Sequence, residues 1–238
     1  MNPAVHELTW LGLALAFIPT LIVIGVLYRW SAGAGTAIYA TLRMLIQLLL
    51  IGYVLVYIFD ASEPGIIVLV LVVMLAAASW IAIRPLQNSG RRVYLNALVS
   101  ISVGGLLTLA LVSQLVIGVE PWFSPRYLVP LGGMIFAAAM NTVSLAAERV
   151  QAETERGTPY REARRVALQA SLIPTVNSLF AVGLVTLPGM MTGQILSGIS
   201  PMVAAKYQIV VMSMIFGVSG ISAALYLVLE HRGRPDAD

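Results

Sequence analysis

Long apolar runs of helical length, separated by short polar breaks, set the rhythm of this chain. Seven segments are long and apolar enough to cross a bilayer, at roughly 8–28, 36–58, 65–83, 94–117, 128–147, 172–188 and 203–229. A helix needs about 20 mainly apolar residues to span the hydrocarbon core. Backbone polar groups in lipid must be satisfied within the segment, so each run is expected to be an α-helix. The sixth run is short and holds Pro174, so a break is expected there. The pattern predicts an all-α polytopic membrane protein of about seven transmembrane helices, forming a single domain over 1–238.

One stretch departs from the rhythm. Residues 148–170 carry Glu148, Arg149, Glu153, Glu155, Arg156, Arg161, Glu162, Arg164 and Arg165, with apolar spans on either side. Within it, Gly157-Thr158-Pro159 reads as a break between two helices. Glycine suits the left-handed position after a helix, threonine is a good N-cap, and proline is favoured at the first helical position. Arg149 and Glu153 are spaced i,i+4, and Glu162 and Arg165 i,i+3, as in solvated helices. Ala163, Ala167 and Ala170 form a small-residue stripe that permits close packing. Two readings stand: a helical insert presented to a soluble partner, with Arg156, Gly157, Thr158 and Pro159 at its tip, or a solvated hairpin with no partner. Nucleic acid is a poor candidate, because five arginines against four glutamates leave almost no excess charge to release counterions.

Composition narrows the class. A hydrophobic fraction of 59%, 11% charged residues and a mean hydropathy of +0.89 are far from soluble averages. The net charge of +3 comes from basic residues at span ends. Arg29, Arg84, Arg91, Arg92, the 148–170 insert, Arg232 and Arg234 fall on alternate loops, which places the N-terminus outside and the C-terminus in the cytoplasm. The N-terminal stretch, Met1 to Glu7, lacks a basic n-region, so the first span is expected to be retained. Cysteine is absent, which excludes disulfides and thiolate metal sites.

No segment matches GxxxxGK[ST], and the single lysine, Lys206, stands in Ala205-Lys206-Tyr207. If nucleotide drives this protein, another chain binds it. The histidines, His6 and His231, lie near the two ends, and neither HExxH nor GxSxG occurs.

Polar residues inside spans are therefore the candidate sites. Arg43 and Gln47 share a helical face in span 2; they line a polar interior that meets an anion or a carbonyl, or Arg43 snorkels to the surface. Asn141 and Ser144 in span 5, with Asn177 and Ser178 in span 6, flank the insert and form interhelical hydrogen bonds or touch substrate. Residues 186–202 are rich in glycine and proline but hardly hydrophilic, which suits a re-entrant or broken helix. Gly189 and Gly193 alternatively mark a tight helix contact. Met190 and Met191 offer thioethers to a soft metal, or simply fill space. No carboxylate lies in a span core, so a desolvated hard cation lacks anionic ligands.

At these residues the chain resembles the FetB-type permeases of ABC transporters, relatives of plant aluminium-tolerance membrane subunits. The matching pieces are Arg43-Met44-Leu45-Ile46-Gln47-Leu48 with Gly52-Tyr53-Val54-Leu55, then Gly157-Thr158-Pro159, then Leu172-Ile173-Pro174-Thr175-Val176-Asn177-Ser178. Most specific is the run from Val182 through Leu187-Pro188-Gly189-Met190-Met191 to Gly193, followed by Ala205-Lys206-Tyr207-Gln208-Ile209-Val210. The resemblance implies a permease subunit in the bacterial inner membrane that exports iron or an iron complex. It implies a separate cytoplasmic ATPase subunit holding ATP and Mg, no cofactor on this chain, and a second permease copy. Arg43 and the lack of buried carboxylates suit an anionic or chelated substrate better. An ABC permease for nucleotide sugars, or a partner-independent secondary transporter or channel for a small anion, are the alternatives.

Overall fold

The computed structural model describes residues 9–60, 63–86 and 90–231; His6, Arg232 and Arg234 lie outside them. Nearly every described residue that is regular is helical. In chain order the helices are α1 (Trp10–Ala16), α2 (Ile18–Arg29), α3 (Ala34–Phe59), α4 (Pro64–Ala82), α5 (Arg91–Ala110), α6 (Pro125–Glu155), α7 (Tyr160–Ala181), α8 (Gly189–Leu196) and α9 (Pro201–His231). A π-helical turn, Leu111–Ile117, extends α5. Counting α1 with α2 and α5 with its π turn, six helices among the described residues are long and apolar enough to cross a membrane. The chain is a multi-pass α-helical membrane protein.

The helices group into two compact units, 1–60 and 61–238. In the first, α1 and α2 form one span interrupted at Phe17, where Pro19 removes the amide that the Leu15 carbonyl would accept. Neither helix buries a residue, and α3 buries only Ile58.

The second unit is built around α6, which packs against α4, α5, α7 and α9. Close approach depends on small residues. A Cβ placed on Gly104 of α5 would meet the Ser222 hydroxyl of α9, and one on Gly132 of α6 would lie 2.9 Å from Leu71 of α4. Gly105 sits equally tight under Phe136. Ala139, Val143 and Ala146 on α6, with Val218 and Ala223 on α9, are fully buried between the helices.

The expected sixth span, 172–188, is entered by a helix that begins in the charged insert, as a second insert helix running from Pro159 into that span would do. Helix α7 starts at Tyr160, runs through Pro174 without breaking and stops at Ala181. Residues 182–188 form a turn in which Leu184, Val185 and Thr186 all donate backbone N–H bonds to the Ala181 carbonyl. Pro174 has no N–H for the Ala170 carbonyl, yet α7 continues past it; the Ser178 hydroxyl donates to the Pro174 carbonyl at 2.9 Å. The helix ends at Ala181 rather than at 188, a boundary that hydropathy does not register.

Candidate functional site

Two places in the second unit gather the polar groups that its apolar helices leave few of: the turn between α6 and α7, and a groove between the same helices further along.

The turn follows a helix, α6, that is longer than a membrane crossing needs. Its 31 residues make about 46 Å of helix, against a hydrocarbon core of roughly 30 Å. The charged residues from Glu148 to Glu155 fill its last turns. The helix ends in a Schellman motif: Thr158 N–H donates to the Glu153 carbonyl at 3.1 Å, and Gly157 N–H to the Thr154 carbonyl at 3.0 Å. Gly157 takes φ +83°, as its place just past the helix predicts. The N-cap of α7 is Pro159 rather than Thr158. The Pro159 carbonyl accepts the amides of Glu162 and Ala163, while the Thr158 hydroxyl turns back to donate to Glu153 at 3.2 Å. Thr158 is thus used to close the first helix rather than to open the second.

Glu153 holds the turn together. Its carboxylate, mostly shielded at 12% exposure, meets Arg149 at 2.7 Å and Arg156 at 3.6 Å besides the Thr158 hydroxyl. Arg156, Gly157 and Pro159 remain exposed at the tip. Glu162 and Arg165 pair at 3.7 Å on the outer face of α7. Its inner face, Ala163 and Ala167, is fully buried. Ser171, rather than Ala170, completes that stripe.

The turn is braced to the end of α9. The buried Tyr160 hydroxyl donates to the Leu227 carbonyl at 2.5 Å, and its ring stacks on His231 with centroids 4.8 Å apart. At the same end Asn96 donates to Glu230 at 3.1 Å. A cavity of about 320 Å³ opens there, lined by Gln151, Thr154 and Glu155 of α6, Tyr226 and Glu230 of α9, and Leu86 and Val93. Arg91, Arg92 and the α6–α7 turn therefore share one end of the unit.

The groove has a volume of about 300 Å³. Asn141 and Thr142 of α6 face Ser171, Thr175 and Ser178 of α7 across it, with Met134 and Ile215 on its apolar sides. Asn141 is brought to Ser178, but Asn177 is not: it lies one residue, or about 100° of helix, away from the groove and is exposed. Ser144 is outside the lining as well.

The remaining candidates lie elsewhere. Arg43 is half-buried and Gln47 exposed on α3, in the first unit. Met190 and Met191 sit on α8, a helix of eight residues, far too short to span, which packs on α9. Helix α8 ends in a second Schellman motif at Gly198, φ +90°. Within this chain nothing lies within 4 Å of where Cβ atoms of Gly189 and Gly193 would stand, so any tight contact there is not with its own helices. Among the described residues, no group of three or more histidines and carboxylates comes together.

Sequence reasoning passes over Tyr160 and Gln208. Tyrosine beside the Gly-Thr-Pro break was a usable signal, because an amphipathic ring at a helix start needs a partner for its hydroxyl. Gln208 is 6% exposed on α9, and its side-chain oxygen has no hydrogen-bond partner among the described residues. A lone amide in an apolar helix was the signal there.

Comparison with known proteins places the chain in a family. It belongs to the family described as Uncharacterised protein family (UPF0014), whose profile matches residues 8–233. It is similar to the UPF0014 membrane protein slr1647 of Synechocystis, 34% identical over 98% of this chain and 96% of the relative. It is 30% identical to the probable iron export permease protein FetB of Escherichia coli, over 95% of this chain and 92% of that one. Protein ALUMINUM SENSITIVE 3 of Arabidopsis is 33% identical over 79% of this chain and 73% of its own length. No solved structure matches.

Proposed function

We propose that this member of the family is the permease subunit of an ATP-driven ABC transporter, exporting iron or an iron complex from the cytoplasm together with a separate ATPase subunit. The observation that carries the reading is the α6–α7 turn. It is exposed, closed by a Schellman motif, clamped by Glu153 and braced by Tyr160 onto α9. A rigid knob joined to two long helices is what a soluble motor needs in order to move a membrane bundle. The chain itself has no phosphate-loop sequence. The E. coli relative's name supplies the cargo and the word permease.

In this reading the turn faces the cytoplasm, as the arginines at the same end of the unit favour, and the N-terminus lies outside. Asn141 and the α6–α7 groove belong to the route, and Arg43 and Gln47 of α3 are separate pathway candidates in the first unit. Two permease copies pair with two ATPase subunits.

The test uses the absence of native cysteine. Thr158→Cys, carrying a short cross-linker, is expected to capture an ATPase subunit in the native membrane, and ATPase is expected to co-purify. A cross-linker at Thr158 that never captures an ATPase overturns the placement. The partner-independent transporter predicts that result, with transport proceeding in the chain alone.

A further inference from the structure

Eight polar side chains are buried among the described residues, and they divide by helix. Five have partners. Ser79 of α4 donates to the Leu75 carbonyl, Ser100 of α5 to Ala97, Thr142 of α6 to Ala138 and Ser171 of α7 to Leu168, while Ser113 of the π turn accepts from Gln114. The other three, Gln208, Ser219 and Ser222, all lie on α9, and their side-chain oxygens have no partner among the described residues. At about 100° per residue, the three fall within about 60° of one another on that helix.

A serine inside a helix can satisfy itself by turning back to a carbonyl one turn earlier, as Ser79 does. Ser222 points across the interface instead, where a Cβ placed on Gly104 of α5 would collide with its hydroxyl. A buried hydroxyl left unpaired loses its bonds to water and gains nothing in return. Packing therefore holds α9 in a position that its own polar groups disfavour. Glycines at 104 and 105 leave the α5 backbone bare, and each carbonyl there has a second lone pair. A small axial shift of α9 carries the Ser222 hydroxyl from Gly104 onto such a carbonyl.

The two helices have the means to make that shift. Asn96 meets Glu230 eight residues from where Gly104 meets Ser222, counted along either helix, so one antiparallel register holds both contacts. Ala97, Ser100 and Gly104 are buried in this stretch and small, so little has to be lifted out for α9 to slide. At its outer end α5 closes with the π turn, Leu111–Ile117. A π turn closes i→i+5, one residue more than an α turn, which gives that end slack. At the inner end Tyr160 ties α9 to the α6–α7 turn, so a pull on the turn is a pull on α9.

We infer that α9 is the sliding helix of the transport cycle, bistable against α5, with Ser219, Ser222 and the Gln208 oxygen unpaired in the arrangement described and paired in the other. This rests on the transport reading above. A displacement of about 1–2 Å is typical of such helix shifts.

The chain has no native cysteine, so spin labels on Leu107→Cys of α5 and Met202→Cys of α9, both exposed positions, report the movement. In nanodiscs with the ATPase, double electron–electron resonance is expected to show two label separations whose balance moves with ATP. Ser219→Ala combined with Ser222→Ala removes bonds that only the second arrangement makes, and is expected to deplete it about tenfold per hydroxyl. In micelles without ATPase, the same double variant is expected to unfold about 2–4 °C higher per hydroxyl, because the arrangement described loses nothing. Ser79→Ala, whose hydroxyl is already bonded within α4, is the control, expected to unfold lower and to keep both separations.

A midpoint that falls or stays unchanged in the double variant overturns the inference, as does an ATP-driven change that this variant leaves intact. Either result means that the serines turn back to their own helix. An unaltered complex that hydrolyses ATP without any change in separation overturns it too. Where no ATPase associates, the transport reading falls instead, and the labels on the chain alone decide. Two separations, the second lost in the double variant, keep the sliding contact; one separation common to both sinks it.

Discussion

The two units of this protein are equally apolar and differently packed. The first two spans bury 0% and 6% of their most apolar stretch, whereas the four in the second unit bury 28% to 44%. Hydropathy cannot be the cause, since it marks both sets as membrane helices. The difference lies in small residues. In lipid there is no hydrophobic drive for one apolar helix to leave hydrocarbon for another, so association depends on close packing and hydrogen bonds. The second unit places Gly104 against Ser222, Gly105 against Phe136 and Gly132 against Leu71. Gly25, Gly35 and Gly52 of the first unit have nothing within 4 Å of where a Cβ would be. Apolarity puts a helix in the membrane, but steric fit decides what it touches. Whatever covers the first unit's helices lies outside that unit.

This contrast can be broken most sharply at its glycines. Gly104→Ala drives a methyl into the Ser222 hydroxyl and is expected to cost about 1–3 kcal/mol. Gly52→Ala, on an open helix face, is expected to be neutral or stabilising by about 0.5–1 kcal/mol. Reversible unfolding in mixed micelles checks both, and equal losses would erase the distinction between the units.

Gly157→Val comes next. Valine at φ +83° is strained, at roughly 1–2 kcal/mol, but the tip is exposed, so the variant is expected to insert and keep its bundle. ATP hydrolysis in the complex should then no longer depend on the permease; full coupling in this variant would show that the left-handed turn is dispensable.

A smaller effect belongs to Tyr160→Phe, which removes the hydrogen bond to Leu227 and is expected to cost about 1 kcal/mol. Hydrogen exchange at the end of α9 should rise with it. Unaltered exchange there would mean that the ring stack on His231 suffices as the brace.

Arg43→Lys is expected to change stability by less than ~0.5 kcal/mol yet reduce transport, because lysine lacks the planar fork. Transport equal to the unaltered chain would identify Arg43 as a snorkelling side chain of the first unit. The mildest change is leucine at both Met190 and Met191. Similar volume predicts a loss below about 1.5 kcal/mol. Iron transport that persists in the double variant would remove thioether chemistry from α8.

Much of this was legible along the chain, for reasons that particular residues make plain. Gly157 announced its left-handed turn because only local backbone sterics are involved. The ion pairs of Arg149 with Glu153 and Glu162 with Arg165 followed from helical spacing alone. Thr158 was misread as the N-cap since its hydroxyl had two helix ends to choose from, and Glu153 decided the matter from five residues away. Asn177 and Ser178 were indistinguishable in sequence, and their separation depended on how α7 is rotated against α6.

Sequence by itself therefore determined that the chain is a multi-pass helical membrane protein, where most of its spans run, and that one charged hairpin interrupts them. Those follow from transfer free energies and backbone geometry, which act residue by residue. Only the tertiary structure decided that α7 passes Pro174 unbroken and ends at Ala181, that Tyr160 ties the hairpin to α9, and that one amide and four hydroxyls converge on a groove. Each of those depends on which faces of distant helices meet, and in lipid that is settled by shape rather than by apolarity.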